Sequence, residues 1–328
     1  MNVFFVRLAR VGAVLALAVV MLGAWVRLTD AGLGCPDWPG CYGRLVVPDA
    51  ATPAHELGAE FTRPLEAGKA WREMIHRYLA SALGLVCVAL VGLAWRNRGD
   101  PNQPWRVPLV LVALVVFQGL LGMWTVTLLL KPIVVVAHLF GGFATLALLF
   151  SLGRWRTGPA AGSVGVATAG LRALGLAAGA ALVLQIFLGG WTSANYAAVA
   201  CPDFPTCQTQ WWPAVADFEE GFVLWRGIGI DYEGGVLDHP ARVAVHFTHR
   251  LGAILATVLL ALLSLRLMRN LATRLDGAAV LAMLLAQLSL GVSIVWFEVP
   301  LAVAVLHNGV AALLLLTVIN ANQRIRQR

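Results

Sequence analysis

Eight apolar runs dominate this chain and fix what it can fold into. A run of about 18 residues or more crosses a hydrocarbon core about 30 Å thick as a helix, and such runs fall at 8–26, 76–94, 107–130, 133–152, 171–193, 242–265, 277–297 and 301–320. With 59% hydrophobic and only 12% charged residues, the composition excludes an ordinary soluble globule. The first run follows Arg7 and Arg10 as a secretion signal would, but no small-residue cleavage site follows it and seven further runs do, so it reads as a helix. The formal charge of +7 does not point to nucleic acid, because the arginines stand in small groups between apolar runs, without a glycine-rich phosphate loop or a basic-aromatic stripe. Eight spans put both ends of the chain on one side. The segments there hold fourteen arginines against Asp100 and Asp276, a net +12, and the remainder holds ten basic and fifteen acidic residues, a net −5. By the positive-inside rule the arginine side is cytoplasmic.

The chain is written twice. GAWVRLTDAGLGCPDWPGC, EMIHRYLASALGL, FQGLLGMWTV and KPIVVVAHLFGGFATLALL are answered in order by LGGWTSANYAAVACPDFPTC, HFTHRLGAILATVL, AQLSLGVSIV and VPLAVAVLHNGVAALLLL. The cysteines repeat at an offset of 166, His76 and His249 at 173, and His138 and His307 at 169, as a duplicated four-helix unit with small loop insertions would. The predicted fold is therefore an all-α integral membrane protein, eight transmembrane helices in two pseudo-symmetric four-helix bundles. The first covers 1–157, a cytoplasmic linker 158–170, and the second 171–328. Each bundle has one long outer loop, at about 27–72 and 194–241, and one very short outer hairpin. Inside each half Leu-Gly-x-Trp recurs at Gly23, Gly122 and Gly189, with a Leu-Gly-Val-Ser variant at Gly291, which reads as close helix packing.

Of seven histidines, His55 and His239 lie in outer loops. His76 and His249 sit at the outer ends of two spans, and His138 and His307 stand six and seven residues past the prolines that open two others. At 1.5 Å rise per residue that is a depth of about 10 Å, which puts all four in one outer layer as two pairs. A lone histidine there would read as a hydrogen bond between helices. Four at matching depth, paired by an internal repeat, read as ligands. Zinc or copper would want more donors than these histidines have beside them. A macrocycle that brings four nitrogens of its own asks for two axial ligands, so the pairs suit heme, His76 with His138 and His249 with His307.

EMIHR, the histidines of the fourth and eighth spans, the external Cys-x5-Cys loops and the duplicated plan together closely resemble the heme A synthase family of bacteria and mitochondria. VRLTDAGLGCPDWPGC is similar to that family's opening signature, with Asp30-Ala31 as a departure. The resemblance covers nearly the whole chain. It implies an oxidoreductase that oxidises a ring methyl of heme O to a formyl group, giving heme A for terminal oxidases. It also implies that His76 and His138 hold the substrate heme and that His249 and His307 hold a resident heme b. Implied partners are heme O synthase, oxidase assembly factors, an unidentified redox partner and membrane lipid, with no nucleic acid; a homo-oligomer stays open. The expected location is the plasma (inner) membrane, with both termini cytoplasmic and the cysteine loops outside. Two rival readings remain, a diheme b-type electron-transfer cytochrome and a heme carrier or chaperone.

The halves disagree most clearly where Glu73 faces His246, each three residues before a ligand histidine and on its face of the helix. One reading of Glu73 is a cap at a helix start. The other, which the resemblance shares, is a catalytic group that handles protons at the heme methyl or stabilises a cationic intermediate. His246 reads as a surface imidazole or a propionate partner rather than an alternative ligand, since His249 is the residue that matches His76. Arg77 and Arg250 either reach the interface or pair heme propionates. Cys35, Cys41, Cys201 and Cys207 allow three connectivities, of which local pairing is the most economical, Cys35 with Cys41 and Cys201 with Cys207. Outside the cytoplasm such disulfides persist. Each loop reads as a lid over the heme layer, with a redox role for the first pair as the alternative. Cys87 reads as packing.

Overall fold

The computed structural model describes residues 3–52, 57–58, 61, 63–154 and 168–326. The expected linker at 158–170 lies, up to residue 167, outside the described residues. A helix is the one open-ended way for a chain to satisfy its backbone in lipid. The apolar runs accordingly become α1 (Val3–Leu28), α2 (Ala67–Arg96), α3 (Arg106–Thr127), α4 (Pro132–Gly153), α5 (Ala169–Ala194), α7 (His239–Met268), α8 (Arg274–Trp296) and α9 (Leu301–Arg326), with a single turn, α6 (Phe218–Gly221), in the second outer loop. The eight long helices are each long and apolar enough to cross a membrane, which makes this a multi-pass membrane protein. Among the described residues no strand forms beyond the isolated bridges Cys41–Arg44 and Cys207–Gln210.

Several helices outrun the apolar stretches that announce them. α2 begins at Ala67 and α7 at His239, so His76 and His249 lie more than two turns inside their helices rather than at the ends, a correction to the reading from hydropathy. The intervening Arg72, Glu73 and Arg242 end an apolar run without ending a helix. In the opposite sense α3 stops at Thr127 although the apolar run continues. There Leu129 and Leu130 take φ of 49° and 61° in the short hairpin, as Glu298 and Val299 do at 54° and 60° in its counterpart.

The chain divides into two compact units, Met1–Thr157 with Leu224–Val236, and Gly158–Val223 with Leu237–Arg328. In the first, α1 packs against α2 and α4, and α3 against the same two; in the second, α5 packs against α7 and α9, and α8 against the same two. Neighbour order is thus the same in each.

The stretch 224–236, though part of the second long loop, packs with the first unit. The Tyr232 N–H donates to the Leu129 carbonyl at 3.0 Å, and its ring is buried with Leu33, Val126 and Leu130. Arg63 pairs with Asp231 at 2.5 Å and Glu233 at 2.7 Å. Lys131, only 1% exposed, donates from Nζ to the Gly227 carbonyl at 2.9 Å and lies 3.6 Å over the Trp225 ring.

Candidate functional site

Each of the four span histidines rests on a glycine of the long helix that precedes its own. A Cβ added at Gly23 would stand 3.1 Å from His76 Cε1, and at Gly122, Gly189 and Gly291 the corresponding distances to His138, His249 and His307 are 3.6, 3.2 and 3.2 Å. The Leu-Gly repeat and the histidine set are therefore one pattern. A helix hairpin recurs four times, with a glycine on its first arm that lets the Cε1 edge of the imidazole on the second come close to the backbone. Close packing is what the glycines provide, and the packed partner in every case is a candidate ligand.

His76 and His138 approach with ring centroids 6.4 Å apart and planes at 77°. Two imidazoles on opposite sides of one metal atom span a similar distance, two metal–nitrogen bonds of about 2 Å each plus the two ring radii. Nδ1 of His76, His138 and His307 is buried without a hydrogen-bond partner. His249 and His307 lie within electrostatic reach of one another. Among the described residues no three His, Cys, Asp or Glu side chains gather as a metal cluster. Two imidazoles without a third protein donor suit a macrocycle that fills the other positions and not a bare zinc or copper ion. The residues present fit heme.

The cysteine loops are tied to the helix turn just outside these histidines. The disulfides Cys35–Cys41 and Cys201–Cys207 both form, and their sulfurs are buried, the first pair against Ala70 and Met74 of α2, the second against Val243 and Phe247 of α7. Gly34 lets the first loop press on the start of α2, for a Cβ there would lie 2.7 Å from the Ala70 nitrogen. The Cys35 N–H donates to Glu73 Oε2 at 2.9 Å, and the other Glu73 oxygen pairs with the Arg77 guanidinium. Arg77 Nη1 also donates to the carbonyls of Asp37, Pro39 and Gly40 at 3.0, 3.2 and 2.5 Å.

The second loop repeats the scheme with an imidazole in place of the carboxylate. The Cys201 N–H donates to His246 Nδ1 at 3.2 Å, and His246 Nε2 stands 3.3 Å from Arg250 Nε. Arg250 donates to the carbonyls of Asp203, Thr206 and Cys201 at 2.8, 2.6 and 2.7 Å. Glu73 and His246 are 5% and 4% exposed, so neither is a surface group. An aspartate turns each loop internally. Asp37 accepts from the N–H groups of Tyr42 and Gly43 at 2.6 and 2.9 Å. Asp203 accepts from the Thr206 hydroxyl and from the Thr209 N–H. Burial pushes the Asp203 carboxyl up, but these hydrogen bonds outweigh it and hold the group below the usual carboxylate range.

His76, His138 and Glu73 thus lie in one unit and His249, His307 and His246 in the other, with Arg77 and Arg250 engaged by the loops. Cys87 is buried and unpaired in α2. Reading the residues did not find Gln185 and Gln287, whose amides touch His249 and His307. Their spacing from the glycines was the available signal.

Over residues 6–319 the chain matches the sequence family described as cytochrome oxidase assembly protein. It is 45% identical over 322 residues to a protein of Shewanella oneidensis called heme A synthase, covering 96% of this chain and 94% of that one. Relatives of the same description in Rhizorhabdus wittichii and Halalkalibacterium halodurans are 30% and 28% identical, over 92% and 91% of this chain and 88% and 89% of theirs. Family match, whole-length relatives and paired span histidines agree: the chain belongs to the heme A synthase family of cytochrome oxidase assembly proteins.

Proposed function

We propose that this chain oxidises a ring methyl of heme O to a formyl group, with heme O held between His76 and His138 in the first bundle and a resident heme b held between His249 and His307 in the second. The observation that carries it is the His76–His138 pair at 6.4 Å, with a carboxylate one turn outward where the repeat has an imidazole. The expected substrate comes from the relatives, whose name is heme A synthase. The boundaries 1–157 and 171–328 are taken as the two pseudo-symmetric copies, and the arginine distribution supports cysteine loops on the outer face of the plasma (inner) membrane.

Methyl to formyl is a four-electron oxidation: each of two steps adds one water oxygen and removes two electrons, which pass to the external redox partner, and two protons, giving the hydroxymethyl and then a hydrated aldehyde, which loses water. Heme b, when bound, supplies one-electron transfer between the substrate and an external redox partner. The protein's own part is positional and electrostatic. The imidazoles fix the ring, and the loop above shapes the pocket and limits water. Glu73, oriented by the Cys35 N–H and Arg77, takes or holds a proton at the carbon being oxidised and balances positive charge that builds there. Arg77 and Arg250, besides clamping the loops, reach the propionate side of each ring.

The test is pigment analysis of membranes containing the protein and supplied with heme O. Hydroxylated and formyl hemes should accumulate. Bound hemes that stay unchanged would leave an electron-transfer cytochrome or a carrier.

A further inference from the structure

Four residues before each glycine under a histidine, the helices carry an amide at three places of four. Gln118 precedes Gly122, Gln185 precedes Gly189 and Gln287 precedes Gly291, but Val19 precedes Gly23. A spacing of four keeps a residue on the glycine's face one turn away, so whatever stands there borders the imidazole.

In the second unit both amides hold their rings. Gln185 Nε2 lies 3.0 Å from His249 Nδ1 and donates to the His249 carbonyl at 3.1 Å. Gln287 Nε2 lies 3.1 Å from His307 Nε2. Each amide thus sits against its imidazole, Gln185 Nε2 also lying 3.5 Å from His249 Nε2. In the first unit neither ring is held this way. The Gln118 side chain fills the space beside Gly141, one turn past His138, and its Nε2 and His138 Nδ1 are both buried without a partner. At His76 there is no amide at all, and its Nδ1 is likewise buried without a partner.

We propose that these glutamines are positioning residues that set how long each unit keeps its heme. Gln185 and Gln287 brace the second pair for retention, and Val19 leaves His76 as the exchangeable ligand through which the first unit takes in substrate and lets product go. The inference rests on the ligand assignment made above. A hydrogen bond to the second ring nitrogen fixes the tautomer and orientation of a ligating histidine, and losing such a partner weakens metal binding by about 10- to 100-fold. The valine side chain offers neither donor nor acceptor, so of the residue four before the glycine only the backbone, which hydrogen-bonds the His76 ring, has to release it. A protein that consumes one heme and retains another needs dissociation rates graded in this sense.

Heme transfer from the purified full-length protein, loaded with both hemes, to excess apomyoglobin measures those rates, and extraction identifies which heme leaves in each phase. The wild type should show a fast phase of heme O or its products and a slow phase of heme b. Val19→Gln should slow the fast phase by about 10- to 100-fold, and Val19→Leu should not change it. The pair Gln185→Leu and Gln287→Leu should speed the slow phase by a similar factor. A fast phase unmoved by Val19→Gln, or a slow phase unmoved by loss of both glutamines, overturns the proposal. Failure of the underlying ligand assignment looks different: His249→Ala and His307→Ala would then still retain heme b.

Discussion

The two cysteine loops are held alike and differ in one group. In both, the first cysteine's N–H is received by a buried side chain three residues before a span histidine, an arginine four residues further along the helix clamps loop carbonyls, and a disulfide packs on the helix below. In the first the receiving group is the Glu73 carboxylate, and in the second it is the His246 imidazole. Because an imidazole performs the holding task, a carboxylate is not needed for it. The acid in the first loop is therefore available for something the second loop does not do. That separates the structural part Glu73 shares with His246 from the proton-handling part proposed for it in the first unit alone.

The sharpest way to break this comparison is to remove a ligand. His249→Ala or His307→Ala should abolish the reduced b-type absorption entirely, while Glu73→Ala should leave it intact. Loss of that absorption in the glutamate variant would make Glu73 structural. Next in size is turnover. Glu73→Ala should cut heme A formation by about 10²- to 10⁴-fold, the usual worth of a general acid or base, and Glu73→His should do the same while keeping the first loop as resistant to protease as in the wild type. His246→Gln should change turnover by no more than a few-fold, measured on extracted hemes. Smaller still is the disulfide effect. Replacing Cys35 and Cys41, or Cys201 and Cys207, by serine removes a closure of about seven residues worth about 2 kcal/mol in either loop. Thermal unfolding should show similar losses, with product formation falling further for the first pair. Smallest is Arg63→Ala, which breaks two partly exposed ion pairs worth about 1 kcal/mol or less each. It should lower the melting temperature slightly and leave the b-type spectrum unchanged.

The eight spans and the local disulfides were legible because each depends on apolar run length or on residues close in sequence. Helix starts were misplaced where Arg72 and Glu73 interrupt the apolar run, since hydropathy cannot tell a charge that ends a helix from one paired with a loop 38 residues away. The glycine repeat was visible, but its partner was not, because nothing local says that Gly23 faces His76 rather than an alkyl side chain. Gln185 and Gln287 were passed over for the same reason. The attachment of 224–236 to the first unit had no signal, as GIGIDYEGG carries neither periodicity nor repeat.

That attachment bears on how far the two units can be made separately. A fragment ending near residue 157 would keep all four of its long helices yet lose the stretch that covers Lys131, leaving an ammonium without the Gly227 carbonyl and the Trp225 face, and an open hollow at Leu33, Val126 and Leu130. Gene halves made separately should assemble poorly unless the shorter piece is supplied with a borrowed copy of that thirteen-residue ribbon.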